Sequence, residues 1–229
     1  MQKTIGWLLI IGALGVFIPY TILTIIFEYP DILRQDTSVI LTKFQNGGSR
    51  LIGTWFAFAL LGLPLIPAYI MLGQAFENKN GWIRTATTLG VIGLIVQMIG
   101  LLRWTFVIPV LASSFVNSTD EATKVAAITS FKLIHQFGGV LLGEHIGQLF
   151  TIIWTIIISI SLVQLKYFTK WMGWFAVISS IIYLISQAEL LATVIPDFPV
   201  WDLAGFIGST LWLIWLLVFG IRLVIVENK

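Results

Sequence analysis

The sequence contains no cysteine, and this absence removes several classes of site. Disulfides, thiolate metal centres and cysteine nucleophiles are all excluded. The chain also lacks a glycine-rich phosphate loop, a zinc-binding motif and a basic patch, so nucleic acid is not an expected partner. Charged residues are scarce, at 10% of the chain, and there are only two histidines. Any binding or catalysis must therefore depend on a small number of polar side chains.

Apolar residues dominate what is present. They make up 58% of the 229 residues, and the mean hydropathy is +0.96. So few charges cannot cover a water-soluble globule, which indicates a membrane protein. A bilayer core about 30 Å thick needs about 20 apolar residues per helix, and six stretches between charges reach that length. We therefore predict an all-α polytopic protein with one transmembrane domain, a bundle of six transmembrane helices. The predicted helices are approximately residues 4–27, 51–76, 84–104, 140–165, 171–193 and 203–224.

The connecting segments differ in charge from one side of the predicted bundle to the other. With the N-terminus in the cytoplasm, most basic residues lie inside: Lys3, Lys79, Arg84, Lys166, Lys170, Arg222 and Lys229. The outer segments then carry most of the acids: Glu28, Asp31, Asp36, Asp120, Glu121, Asp197 and Asp202. The positive-inside rule favours this orientation. We predict a multi-pass membrane protein with both termini cytoplasmic and the lipid bilayer as its partner; the oligomeric state stays open.

Two outer segments carry apolar groups without crossing the membrane in this interpretation. Residues 28–49 mix charges with short apolar groups and are expected to lie on the membrane surface. The pattern S-x-x-E from Ser118 to Glu121 is typical of a capping box, and it predicts an amphipathic surface helix over residues 118–136 on the outer side. The Gly138-Gly139 pair is expected to hinge that helix to the fourth transmembrane helix.

The fourth predicted helix has two distinctive faces. Gly139, Gly143 and Gly147 follow the spacing G-x3-G-x3-G, which predicts close packing against a neighbouring helix backbone. A polar stripe consists of Glu144, Gln148, Thr151, Thr155 and Ser159. Hydrogen bonding between helices accounts for the threonines and the serine. The glutamate needs a further explanation, because an ionisable group in the membrane is costly.

Polar residues of several predicted helices fall at a similar depth. At 1.5 Å per residue from the inner charged boundaries, Arg103 lies at about 28 Å, Glu144 at about 33 Å and Glu189 at about 28 Å. We call the following candidate ligand-binding residues the polar layer: Arg103, Glu144, His145, Gln148, Gln187 and Glu189. One interpretation is an outward-facing cavity in which Arg103 pairs with either glutamate or with both. The other is that charged side chains simply snorkel at the outer headgroups.

The histidines raise the question of a metal or a haem. His135, Glu144 and His145 are weak metal-ligand candidates, since zinc accepts histidine and carboxylate ligands. However, no H-E-x-x-H pattern is present, and adjacent positions on a helix point about 100° apart. Both histidines lie in one continuous segment. Haem ligation by both would therefore require them to come together across a hinge or across a subunit boundary. A hydrogen-bonded structural role is favoured for each histidine, and no cofactor is predicted.

Three stretches together carry a family resemblance: GLLRWTFVIPVLA at 100–112, FGGVLLGEHIGQLFTIIWT at 137–155 and YFTKWMGWFAVIS at 167–179. The chain resembles a bacterial family of integral membrane proteins of unknown function, DUF4386-like, over nearly its whole length. The most specific patterns are R-W-x-F-V-x-P-V-L-A and G-E-H-x-G-x-L-F-T. The resemblance implies a bacterial plasma-membrane protein with several helices. It implies no reaction and assigns no catalytic residue.

Three functions fit the sequence. The first is binding or transport of a small or amphipathic molecule in an outward-facing cavity, with Arg103 placing an anionic group and Glu144 and His145 handling protons or hydrogen bonds. The second is an intramembrane enzyme, hydrolase-like and conceivably metal-dependent, with His145 or Glu144 as general base. No nucleophile stands out for that reaction. The third is a structural or regulatory membrane protein in which the polar layer only determines helix packing.

Overall fold

The computed structural model describes residues 1–225, and these residues form helices and connecting turns without a strand. Ten α-helices are present in this part of the chain: α1 (Gln2–Ile26), α2 (Thr37–Leu60), α3 (Leu65–Phe76), α4 (Trp82–Phe106), α5 (Ile108–Asn117), α6 (Glu121–Ile134), α7 (Gly147–Gln164), α8 (Lys170–Ile185), α9 (Gln187–Ala192) and α10 (Ala204–Ile225). A 3-10 turn covers Asp31–Arg34, and a π-helical segment covers His135–Ile146. The predicted all-α class is confirmed.

Six helical stretches in the described residues are long and apolar enough to cross a membrane. They are Gln2–Ile26, Thr37–Phe76, Trp82–Asn117, Glu121–Gln164, Lys170–Ala192 and Ala204–Ile225. Large aliphatic side chains such as Ile11, Ile18 and Ile178 are more than half exposed on the outside of the bundle. A water-soluble surface would not present so many of them. The polytopic bundle expected from the sequence is confirmed.

The second stretch begins earlier than predicted and contains two bends. Helix α2 starts at Thr37 within the segment expected to lie on the surface, so the helical stretch Thr37–Phe76 has 40 residues and is longer than the predicted 51–76. At Gly48 the backbone takes φ 54° and ψ −152°, a conformation that favours glycine. Further along, Pro64 precedes α3 and cannot donate a backbone hydrogen bond, which explains the turn between α2 and α3.

The fourth stretch differs most from the sequence prediction. The N-cap of α6 is Asp120, whose carboxylate accepts the N–H groups of Ala122 and Thr123. The predicted cap, Ser118, instead accepts the Asp120 N–H at 3.0 Å, so the capping-box assignment was wrong by two residues. No hinge forms at Gly138-Gly139, because both glycines lie inside the π-helical segment that joins α6 to α7.

The length of this stretch places part of it outside the bilayer. Its 44 residues would span about 66 Å as a helix, which exceeds the roughly 40–45 Å of a bilayer with its headgroups. Helix α6 carries the charged residues Glu121, Lys124 and Lys132, whereas α7 carries none. The N-terminal part of the stretch is therefore the part that extends beyond the membrane.

Aromatic side chains fill much of the interior. Trp55 of α2 and Trp104 of α4 stack with ring centroids 4.7 Å apart, and Tyr69 of α3 stacks on Trp154 of α7 at 3.5 Å. All four side chains are fully buried. These stacks join helices that are distant in the sequence.

Candidate functional site

A cavity of about 180 Å³ lies between the helices and the 3-10 turn. Four members of the polar layer line it: Arg103, Glu144, Gln148 and Glu189. Tyr20 of α1 and Asp202, which precedes α10, also line the cavity. The helix geometry thus places groups from distant parts of the chain around one space. Gln187 lies beside the cavity and contacts the lining residue Gln148, and His145 contacts Gln187.

Arg103 is the most deeply buried charge of the polar layer, with 7% of its surface exposed. Its Nη1 donates to the carbonyl oxygen of Gly100, and Nη2 lies 3.4 Å from Nδ1 of His135. The guanidinium also lies 5.3 Å from the ring centre of Trp104. Since arginine only donates, His135 accepts at Nδ1 and carries its proton on Nε2. The Nε–H of Arg103 has no hydrogen-bond partner among the described residues.

The predicted ion pairs of Arg103 with the glutamates are not formed. Within residues 1–225, no carboxylate lies at ion-pair distance from its guanidinium. Glu189 pairs instead with Arg34, with Nη2 of the arginine 2.7 Å from Oε1 of the glutamate. The sequence estimate compared depths only, and depth does not determine the direction in which a side chain points. Arg103 and Glu144 face the same cavity without touching.

Arg34 closes one side of the cavity from the 3-10 turn. Besides Glu189 it contacts Asp31, and its Nη2 donates to the carbonyl oxygen of Asp202 at 3.2 Å. Partial burial of the Arg34 side chain lowers its pKa, but Glu189 and the neighbouring acids outweigh that effect, so the net pKa is raised. Arg34 therefore stays charged and ties the turn to α9 and to the segment before α10.

A chain of amides connects His145 to the cavity. Nδ1 of His145 lies 2.8 Å from Oε1 of Gln187, so the histidine donates this bond. Nε2 of Gln187 then donates to Oε1 of Gln148 at 2.8 Å and contacts the carbonyl oxygen of Glu144 at 3.4 Å. The Gln148 oxygen is thereby occupied, which leaves its amide nitrogen as the group that it can present to a ligand.

The two histidines have different neighbours, which bears on the metal and haem alternatives. His135 contacts Arg103 of α4, whereas His145 contacts Gln187 of α9. Among residues 1–225, no group of three or more histidine, aspartate or glutamate side chains is arranged to hold a metal ion. His135, Glu144 and His145 therefore do not form a common ligand set in this structure.

The glycine stripe lies against α4. A Cβ on Gly143 would come within 3.4 Å of the Gly100 Cα, and one on Gly147 would come within 3.3 Å of the Gly93 carbonyl oxygen. Gly139 has a different role, because a Cβ there would collide with the guanidinium of Arg103, at 2.6 Å from Cζ. Two of the three glycines thus bring helix backbones together, and the third makes room for the buried arginine.

The lower part of the polar stripe forms hydrogen bonds between helices. Gln97 of α4 donates through Nε2 to Thr151 Oγ1 at 2.8 Å and to the Gly147 carbonyl at 3.1 Å. Trp212 of α10 donates through Nε1 to Thr155 Oγ1 at 3.1 Å. These contacts attach α7 to α4 and to α10. They form the floor beneath the cavity, since Gln97 and Trp212 also line it.

Sequence reasoning missed two of the polar groups at the cavity. Arg34 was placed on the membrane surface, and its charge alone does not distinguish a surface residue from a cavity residue. Gln97 had a usable signal: it is a single amide in the apolar run between Arg84 and Arg103. Such a group in a membrane helix needs a partner.

Comparison with known proteins assigns the chain to a family. A family model with the description "Domain of unknown function (DUF4386)" matches residues 4–220. The chain belongs to the DUF4386 family. No curated protein and no solved structure gave a significant match. The DUF4386 region includes every residue that lines the cavity, so the cavity lies within the family domain.

Proposed function

We propose that this DUF4386 protein binds or transports a small or amphipathic molecule in a cavity that opens toward the outer side of a bacterial plasma membrane. Arg103 receives an anionic group of that molecule. Glu144 and Gln148 contribute hydrogen bonds, and His145 acts indirectly by orienting Gln187 and Gln148. Both termini lie in the cytoplasm in this proposal, and no cofactor is needed for binding.

The buried Arg103 guanidinium is the observation that carries the proposal. It lines the cavity with 7% of its surface exposed, and its Nε–H has no partner among the described residues. An isolated buried cation is costly unless an anion or a full set of hydrogen-bond acceptors compensates it. A ligand with a carboxylate or phosphate would supply both the charge and the acceptors.

The size and charge of the cavity restrict the ligand further. Pockets for drug-sized molecules measure about 300–1,000 Å³, whereas this cavity measures about 180 Å³. A small molecule, or the headgroup of a larger amphipathic one, fits this volume. The charged lining residues are two arginines and three acids, namely Arg34, Arg103, Glu144, Glu189 and Asp202. Because Arg34 already pairs with Glu189, Arg103 is the cation left for a ligand.

Native mass spectrometry of the protein purified in a mild detergent tests this proposal. We expect an acidic molecule to copurify with the wild-type chain and to be lost from Gln148→Glu, which adds a negative charge to the cavity. Arg84→Gln is the matched control, because Arg84 is exposed and bonded to Glu77 away from the cavity. Retention of the same molecule by Gln148→Glu at the wild-type level would refute the proposal.

A further inference from the structure

A second, apolar cavity of about 80 Å³ lies directly beside the polar one. Five residues line both cavities: Val16, Phe58, Gln97, Leu101 and Trp212. The remaining lining of the second cavity is apolar and includes Leu63, Leu94 and Met98. The two spaces therefore lie next to each other, with charged groups around one and a mostly apolar lining around the other.

The wall of the apolar cavity contains the break between α2 and α3. Gly62 and Leu63 line the cavity, and they lie in the turn that precedes Pro64. This turn falls roughly midway between Arg50 and Glu77, the charges that bound the second apolar run. Non-helical backbone at such a depth is tolerated where it is covered by protein or lines a cavity. In membrane transport proteins, interrupted helices of this kind often mark binding sites.

The same turn is also exposed at the surface of the bundle. Leu61 and Leu63 are 51% and 43% exposed, so the segment lies between the apolar cavity and the surrounding lipid. On its inner side the turn packs closely on α1, since a Cβ on Gly62 would come within 2.8 Å of Val16 Cγ2. A chain that enters from the bilayer would meet this segment first and the polar cavity last.

We infer that the ligand is a single-chain amphiphile with an anionic headgroup. The headgroup binds at Arg103 in the polar cavity, and the alkyl chain lies in the apolar cavity. The inference rests on the proposed function and adds the class of ligand. A pocket of about 80 Å³ holds a segment of one alkyl chain but not two chains side by side, which selects one chain. A carboxylate and a phosphate monoester can both accept from the guanidinium of Arg103, whose Nε–H has no partner among the described residues. Glu144 accepts a hydrogen bond from a hydroxyl or a protonated acid on the same headgroup.

Photo-crosslinking in vesicles of phosphatidylcholine tests the inference. The probes carry a diazirine near the end of one alkyl chain and differ only in the headgroup: palmitate, lysophosphatidate and the neutral alcohol hexadecanol. After irradiation, mass spectrometry identifies the labelled peptides. We expect the two anionic probes to label Phe58–Ile66 and Leu94–Leu101, with unlabelled palmitate or lysophosphatidate as competitors. The anionic probe that labels these peptides more strongly identifies the headgroup, and labelling by either anionic probe supports the inference.

Two variants on one helix provide the matched comparison. Met98→Trp fills the apolar cavity, whereas Ile99→Trp adds the same ring to a position that is 54% exposed and lines neither cavity. We expect Met98→Trp to reduce competed labelling by about tenfold or more, because the apolar chain loses its buried site. The Ile99→Trp variant should be labelled by the probes to the same extent as the wild type. Equal losses in both variants would overturn the inference.

The outcomes also separate this inference from the proposed function. Equal labelling of the cavity peptides by hexadecanol and by the anionic probes would show that the pocket takes lipid without regard to the headgroup, which overturns the inference. If neither anionic probe labels the cavity peptides and the wild-type chain still copurifies with an acidic molecule, the ligand has no alkyl chain. In that case the inference fails and the proposed function stands. If no acidic molecule copurifies and neither anionic probe labels the cavity peptides, both the inference and the proposed function are refuted.

Discussion

At the scale of single residues, a glycine determines where the buried cation lies. Gly139 is buried and has no side chain, and the Arg103 guanidinium occupies the space beside it. The guanidinium is also held by the Gly100 carbonyl and by His135. An arginine side chain is long and flexible, but this one has neighbours on several sides. The position of the cation in the cavity thus depends on a residue that has no side chain.

We predict that Gly139→Ala lowers the free energy of unfolding by about 1 kcal/mol or more relative to Gly138→Ala, because overpacking a filled site costs about 1–3 kcal/mol. A Cβ on Gly138 would meet only Arg103 Cδ at an ordinary 3.6 Å. Both substitutions gain the same helix propensity, so that effect cancels. Thermal unfolding in detergent, followed by circular dichroism, measures the difference. Equal stability of the two variants would contradict the assigned role of Gly139.

At the scale of elements, the junction between α6 and α7 connects an extramembrane helix to the membrane. The π-helical segment from His135 to Ile146 has wider turns closed by i→i+5 hydrogen bonds, and such turns often occur at functional sites. It carries His135, Gly139 and Glu144, all of which contact Arg103 or the cavity. A single continuous element therefore joins α6 to the polar layer.

The start of this element depends on Asp120 rather than on Ser118. We expect Asp120→Ala to speed amide hydrogen exchange at Ala122 and Thr123, because both N–H groups lose their acceptor. Ser118→Ala is the control and should leave those amides protected. Exchange measured by mass spectrometry on the detergent-solubilised protein compares the two variants. Faster exchange in Ser118→Ala alone would restore the cap predicted from the sequence.

The same cap gives a pH dependence with a defined sign. Hydrogen bonds from the Thr123 hydroxyl, the Thr123 N–H and the Ala122 N–H lower the pKa of the Asp120 carboxyl. A group with a lowered folded-state pKa contributes its stabilisation above its ordinary pKa and loses it as the pH falls through the folded-state pKa. Protection by the cap should therefore persist at neutral pH and disappear only in strong acid.

At the scale of the whole molecule, the distribution of charges between the two ends of the bundle predicts which side the cavity faces. An even number of crossings places both ends of the described chain on one side of the membrane. Lys79 and Arg84 lie at one end of the bundle, while the cavity residues Arg34 and Glu189 lie in or beside the opposite connections. The positive-inside rule therefore predicts a cavity that opens outward.

Reporter fusions test this orientation directly. We predict that green fluorescent protein fused after the last residue is fluorescent and that alkaline phosphatase fused there is inactive, because the positive-inside rule predicts a cytoplasmic C-terminus. A phosphatase inserted between Asn117 and Ser118, ahead of α6, should be active. The reverse pattern would place the cavity on the cytoplasmic side and would remove an outside ligand from consideration.

The sequence by itself determined the membrane class and the number of crossings. Both follow from composition and from the length of apolar runs, which the bilayer thickness converts directly into helices. The polar layer was also predictable in part, since depth along a helix is proportional to residue number. Arg103, Glu144, Gln148 and Glu189 therefore reached one cavity as expected from their depths.

Only the tertiary structure decided which groups meet. Depth leaves the rotation of each helix free, so Arg103 turned toward His135 while Glu189 paired with Arg34, a residue from a segment with no predicted depth. The apolar cavity likewise depends on how the turn at Pro64 packs against α1, α4 and α10. Contacts between distant segments follow from helix rotation and packing, and the pattern of residues along one chain does not contain that information.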